Sequence, residues 1–243
     1  MSQHLFGLKE PQLLLDVMLH LGTLLAVLII FRADLWQIAN GLWQRVRTGT
    51  IDKGDQSLRL LGLLILASIP VGIIGLVFKD YIEAAFANPF YVGLAFLLTG
   101  LILWLSKFAP ESIKQTEQTT WVDALIIGFS QALAIIPGIS RSGTTISMAM
   151  LLGLDRPLAA KFSFLMAIPA IIGATFVQLQ QAPDVSTGQW PPIILGTAIA
   201  FFSGYAALKI LIRLVNKGDF SKFAYYCWSI GLLTTISAFY GYI

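Results

Sequence analysis

Residues 128 to 153 read GFSQALAIIPGISRSGTTISMAMLLG. Two apolar stretches meet at Pro137-Gly138, and a charged, hydroxyl-rich run, Ser140-Arg141-Ser142-Gly143-Thr144-Thr145, follows the break at once. Proline stops a helix because it has no N–H to donate, and glycine permits the sharp turn that reverses the chain. The pattern predicts a helix–turn–helix hairpin over 121–154, with Ser140 as the N-cap of its second helix. Each arm holds about 15 residues, short of the roughly 20 that cross a bilayer at 1.5 Å per residue. A hairpin that enters and leaves by one face fits that length. Irregular backbone at membrane depth survives only where protein buries it or it lines a wet cavity.

Working outward, the chain has a membrane composition. Of its 243 residues 56% are hydrophobic and 12% charged, whereas soluble domains carry about a quarter charged residues. The mean hydropathy is +0.77. A net charge of +3, with the basic residues lying between apolar runs, argues against a nucleic-acid partner. Cys227 is the one cysteine, which excludes an internal disulfide and a cysteine metal cluster. Six further apolar runs have spanning length: Leu13 to Phe31, Leu60 to Phe78, Phe90 to Ser106, Phe162 to Leu179, Ile193 to Leu214 and Phe223 to Tyr242.

The loops set the orientation. Arg32, Arg45, Arg47, Lys53 and Arg59 fall in 32–59, Lys107 and Lys114 in 107–120, and Lys209, Arg213, Lys217 and Lys222 in 209–222. The loop after residue 180 has only Asp184, and 79–89 sets Lys79 against Asp80 and Glu83. The positive-inside rule places the basic loops in the cytoplasm and both termini outside. Residues 33–47 read as an amphipathic helix in the inner interface, with Trp36 and Trp43 at headgroup depth. The expected fold is an all-α polytopic membrane protein, six transmembrane helices plus a re-entrant hairpin, in one domain over 1–243. Three spans precede the hairpin and three follow it, so the second set runs inverted. The first repeat, 11–120, lacks a hairpin; the second, 121–243, contains the one at 121–154.

The chemistry centres on the hairpin. A helix N-terminus behind the Pro-Gly break is an anion site, because free amides and the positive dipole end face the ligand. Arg141 adds a fixed charge and a planar fork suited to phosphate. Thr145 lies four residues on, hence on the same face, and Ser142 and Thr144 bring further hydroxyls. The alternative is a close-packed, hydroxyl-rich helix pair in which Arg141 meets a carboxylate or carbonyls. Intramembrane arginine is costly and marks function by default. Gln131 needs polar partners wherever it is buried. Asp16 and His20, four apart on the first span, either support the site from behind or form a dipole-stabilised carboxylate with a hydrogen-bonded imidazole.

PGISRSGTT at 137–145 resembles the PGxSRSxxT motif of the undecaprenyl-diphosphate phosphatase (BacA, bacitracin-resistance) family. LDVMLHLGTLLAVLIIF at 15–31, GFSQALAIIPG at 128–138 and FSFLMAIPAIIGAT at 162–175 are similar to it too, so the resemblance covers nearly the whole chain. It implies an enzyme of the bacterial plasma (inner) membrane, its site facing outside. The reaction removes the terminal phosphate of undecaprenyl diphosphate, and the monophosphate then carries cell-wall precursors. The resemblance also implies a divalent cation, Mg or Ca, as cofactor, the polyprenyl lipid and bilayer lipid as partners, and it is compatible with a homodimer. By resemblance Arg141, Ser140 and Thr145 are catalytic, and Gly138, Ser142, Gly143, Thr144 and Gln131 bind substrate; Asp16 and His20 keep the two readings given above.

Family members begin with another re-entrant hairpin, bearing an ExxxE-type acid pair and then FLPISSTGH. This chain starts after that point, so His4 does not take the family histidine's place and metal ligands are not identifiable in it. A start called too late and a degenerate copy are both consistent with this. The expectation for the 243-residue chain alone is little phosphatase activity. A non-enzymatic protein that binds or moves a polyprenyl phosphate is the alternative, since a midplane site between inverted repeats also suits a transporter.

Overall fold

The computed structural model describes residues 13–48, 55–78, 88–110, 114–179 and 190–241. The readings of His4, Lys53, Lys79, Asp80, Glu83 and Asp184 lie outside the described residues. Among those described, the α-helices are α1 (Leu13–Ile30), α2 (Arg32–Thr48), α3 (Gln56–Val77), α4 (Pro89–Leu105), α5 (Trp121–Leu133), α6 (Arg141–Leu151), α7 (Arg156–Leu179), α8 (Trp190–Lys217) and α9 (Phe223–Phe239). The chain is an all-α polytopic membrane protein. Among the described residues, four helices are long and apolar enough to cross a bilayer: Gln56–Val77, Pro89–Phe108 with its 3-10 extension, Arg156–Val177 and Trp190–Lys217. A fifth crossing is added if Leu14–Ile30 and Arg32–Thr48 count as one broken span. The last apolar run forms the 17-residue α9.

Several helices differ in extent from the apolar runs that announce them, α7 and α8 among them. The fourth run begins at Phe162, but α7 starts at Arg156. Asp155 Oδ1 accepts the Leu158 N–H at 2.8 Å, and Pro157 suits a first turn whose N–H groups have no helical partner. The fifth run ends at Leu214, but α8 continues to Lys217. It stops at Gly218, whose φ of 82° lets the chain turn out left-handed. The amides of Gly218 and Asp219 then bond back to Val215 O and Leu214 O, each at 3.0 Å.

The chain divides into two compact units, Met1–Ile30 with Ile168–Lys209, and Phe31–Ala167 with Ile210–Ile243. In the first, α1 packs on α8 through small residues. A Cβ on Gly22 would lie 2.5 Å from Thr197 O and 3.3 Å from Ala200 Cβ, and one on Gly204 would lie 3.3 Å from Thr23 Cγ2. This is how membrane helices approach when no hydrophobic effect drives them together.

The second unit holds the hairpin. There α4 and α9 pack extensively on each other. A side chain at Gly93 would collide with Thr235, and one at Gly100 with the Trp228 indole, whose Nε1–H donates to Leu97 O at 3.2 Å. Trp228 is thus a packing residue, whereas Tyr225 and Tyr226 stay exposed. On the other side α3 touches α5 backbone to backbone, since a Cβ on Gly128 would run into the Ala67 carbonyl. The start of α2 is tied to α7 by the Asp34–Lys161 ion pair at 2.6 Å and by stacking of Phe31 on Phe164 at 5.9 Å. Lys161 is therefore an ion-pair partner. Trp36, Trp43 and Val46 remain exposed along α2, in keeping with an interfacial helix.

Asp55 caps α3. Its Oδ1 accepts from Ser57 Oγ at 2.5 Å, Ser57 N at 2.9 Å and Leu58 N at 3.4 Å. The Ser57 hydroxyl chiefly holds the carboxyl below its ordinary value, burial opposes it, and the two amides add to the lowering. A lowered folded-state pKa means the stabilisation is complete above the unfolded carboxyl's pKa, about 3.9, and fades as pH falls through the folded one. Asp55→Ala is expected to cost about 1 kcal/mol near neutral pH. Melting in detergent from pH 7 to pH 3 should show the gap between wild type and variant narrowing on the acid side.

Candidate active site

The hairpin is built from its feet to its tip. Lys114 joins the feet. Its ammonium donates to both Asp123 carboxylate oxygens at 3.1 Å, near the start of α5. Its N–H donates to Gly153 O, and its carbonyl accepts from Asp155 N, both at 3.0 Å, just beyond α6. Entry and exit of the hairpin therefore meet at one residue. Thr120 and Asp123 form a capping box on α5. Arg59 fastens the same segment to α3 by donating to Thr116 O at 3.0 Å and Thr119 O at 2.9 Å.

At the tip, α5 ends at Leu133 and α6 begins at Arg141. Gly138 takes a φ of 94°. A Cβ there would be strained, and it would also sit 2.5 Å from Val92 O on α4. Thr99, fully buried on α4, closes the turn: its Oγ1 lies 3.0 Å from Gly138 O and accepts the Ser140 N–H at 3.1 Å. Ser140 caps α6 as predicted, its Oγ accepting the Gly143 N–H at 3.1 Å. The Gly143 amide is thereby used, while the Arg141 and Ser142 amides take no acceptor among the described residues.

The side chains divide into two sets. Thr145 is buried and occupied: its Oγ1 donates to Arg141 O at 2.8 Å and lies 2.6 Å from Ser163 Oγ on α7. Gln131 Nε2 and Oε1, Arg141 Nη1, Thr144 Oγ1 and Ser147 Oγ are buried with no hydrogen-bond partner. These five are all of the buried, unpartnered side-chain polar atoms among the described residues, and all lie on this hairpin. Arg141, Thr144 and Ser147 recur every three residues along one side of α6. Such atoms normally find partners, so the hairpin is arranged for a polar partner that the described residues do not supply.

Asp16 and His20 belong to the other unit. His20 is exposed, and its Nδ1 is 2.8 Å from the Asp16 backbone carbonyl, one turn back along α1. No group of three or more His, Cys, Asp or Glu that could hold a metal ion forms among the described residues. The donors described here do not fit the divalent cation that the resemblance implies, and no chemistry is routed through one below.

Four residues of this arrangement escape a reading of the motif: Thr99, Lys114, Ser147 and Ser163. Ser147 was detectable from the three-residue recurrence after Arg141. Thr99, Lys114 and Ser163 lie outside the hairpin, and nothing local distinguishes them from other residues of their segments.

Fold and site together define a polytopic helical membrane protein whose polar centre is a broken, arginine-bearing hairpin. The chain belongs to the family described as bacitracin resistance protein BacA, whose model matches residues 1–233. Among its relatives, the undecaprenyl-diphosphatase of Desulfatibacillum aliphaticivorans is 40% identical, across 98% of this chain and 89% of its own length. That of Carboxydothermus hydrogenoformans is 43% identical, across 95% and 84%. That of Methanobrevibacter smithii is 40% identical, across 96% and 86%.

The two sets of hydroxyls should respond oppositely to deletion. Thr99→Val strands the Ser140 amide and the Gly138 carbonyl, and is expected to cost about 1–3 kcal/mol. Ser147→Ala removes an unpartnered hydroxyl and should leave the ligand-free protein unchanged or slightly more stable. Thermal unfolding of both variants in detergent checks the pair, and a Ser147→Ala loss as large as that of Thr99→Val would contradict the division.

Proposed function

We propose that this protein is an undecaprenyl-diphosphate phosphatase, releasing inorganic phosphate and leaving undecaprenyl phosphate. The carrying observation is the concentration of buried, unpartnered polar atoms on the hairpin, beside an arginine and two free helix-terminal amides. That chemistry suits a diphosphate: a bidentate guanidinium spans oxygens of two phosphates, and the helix terminus takes the remaining negative charge. The name that these relatives share, undecaprenyl-diphosphatase, favours this reading over a non-catalytic lipid carrier.

In the overall reaction a water oxygen bonds to the terminal phosphorus, and the bond from that phosphorus to the bridging oxygen breaks. Undecaprenyl phosphate leaves with the bridging oxygen. Phosphoryl transfer is catalysed mainly by positioning and by neutralising charge. Arg141 is the group here that meets the charge growing on the leaving phosphate. Ser140 sets where its helix begins, Ser142 and Thr144 offer hydroxyls, and Gln131 offers an amide to the phosphates. The site opens to the outer face of the bacterial plasma membrane, a placement supported by the basic loops at 32–59 and 209–222.

Arg141→Lys tests this reading. Lysine keeps the charge and loses the fork. Affinity for undecaprenyl diphosphate in detergent is expected to fall about tenfold or more, the range of a lost charge-assisted hydrogen bond, with phosphate release falling alongside. Wild-type affinity and release in Arg141→Lys would remove Arg141 from the site.

A further inference from the structure

The motif places Thr145 beside Arg141, but the structure turns its hydroxyl away from the unpartnered stripe. The side chain is 0% exposed. Its Oγ1 has one proton, and the Arg141 carbonyl, 2.8 Å away, is able only to accept. That proton is therefore committed to Arg141 O. The neighbouring Ser163 Oγ, 2.6 Å from Thr145 Oγ1, must then be the donor of the pair. The hydroxyls thus point in sequence, Ser163 to Thr145 to the Arg141 carbonyl.

Ser163 Oγ has no other hydrogen-bond partner among the described residues. It is itself 0% exposed and stands between Phe162 and Phe164, in a stretch of α7 that is otherwise apolar through Ala167. Two residues away, Lys161 holds Asp34, and Phe164 stacks on Phe31. That part of α7 is therefore fixed to α2, and Ser163 carries the fixity to α6. A threonine bonded to the carbonyl four residues back can rotate away, and such bonds bend helices. A second hydroxyl that donates to it selects one rotamer. The residue whose carbonyl is held in this way is Arg141, at the first position of α6.

We infer that Ser163 is a positioning residue for the diphosphate site, acting through Thr145 to hold the first turn of α6 and thereby the aim of the Arg141 guanidinium. Thr145 acts through backbone and not by touching substrate. The inference rests on the phosphatase reading above.

The experiment measures the dissociation constant of undecaprenyl diphosphate for the full chain in detergent, for wild type, Ser163→Ala, Ser163→Cys, Thr145→Val, Thr145→Ser and the double variant Ser163→Ala/Thr145→Val. Cysteine keeps the shape of serine with a larger terminal atom and is a poor donor, so it reads the hydrogen bond without the gap that alanine leaves. Ser163→Ala, Ser163→Cys and Thr145→Val are each expected to weaken binding about three- to tenfold, the range of one hydrogen bond. Thr145→Ser should bind as wild type. The double variant should bind no worse than Thr145→Val, because Ser163 has nothing left to hold. Wild-type binding by Ser163→Cys, or losses that multiply in the double variant, overturns the inference and leaves the phosphatase reading standing. A wild-type chain that does not bind undecaprenyl diphosphate overturns both.

Discussion

A turn of irregular backbone packed among helices has to find its hydrogen bonds within the protein, and this requirement organises the second unit. Seven residues separate α5 from α6. Their groups bond partly among themselves, and Thr99 takes up the Gly138 carbonyl and the Ser140 amide. For Thr99 to reach, α4 has to lie against the turn, and Gly138 permits this because a side chain there would strike Val92. In turn α4 is braced from its far side by α9, through Gly93, Gly100 and Trp228. Unpaired amides and carbonyls in hydrocarbon cost several kcal/mol each, so the tip is stable only inside this stack.

The bonds at the feet complete the argument. Lys114 reaches Asp123 at one foot and residues 153 and 155 at the other, so the hairpin is closed at its base as well as pinned at its tip. With both ends held, the residues between are free to be polar. Thr145 spends its hydroxyl on structure, whereas Gln131, Arg141, Thr144 and Ser147 keep unpartnered atoms. Preorganised donors of this kind cost little to reorganise when charge arrives, which is what makes them effective in phosphoryl transfer.

Much of this was legible beforehand, for local reasons. Hydrophobic run length exposed the long helices, Pro137-Gly138 exposed the break, and Ser140 exposed the cap, because each is decided by a few neighbouring residues. The helix ends were less legible. An apolar run marks where lipid contact begins, whereas α7 begins at the cap supplied by Asp155 and α8 ends at Gly218. The grouping of Ser140, Arg141, Thr144 and Thr145 was legible as a motif, but their division into occupied and unpartnered groups was not. That division depends on Ser163, which lies 18 residues from Thr145 on another helix.

By itself the sequence determined the helical class, the membrane setting, the position of the hairpin and the Ser140 cap of its second helix. All of these follow from propensity, run length and charge within short windows. Only the tertiary structure decided that Thr99 closes the turn, that Lys114 joins the feet, that Lys161 serves Asp34, and that Thr145 faces Ser163. A hydrogen bond between distant segments has no signature in either segment alone, because serine, threonine and lysine are common residues whose partner is chosen by packing.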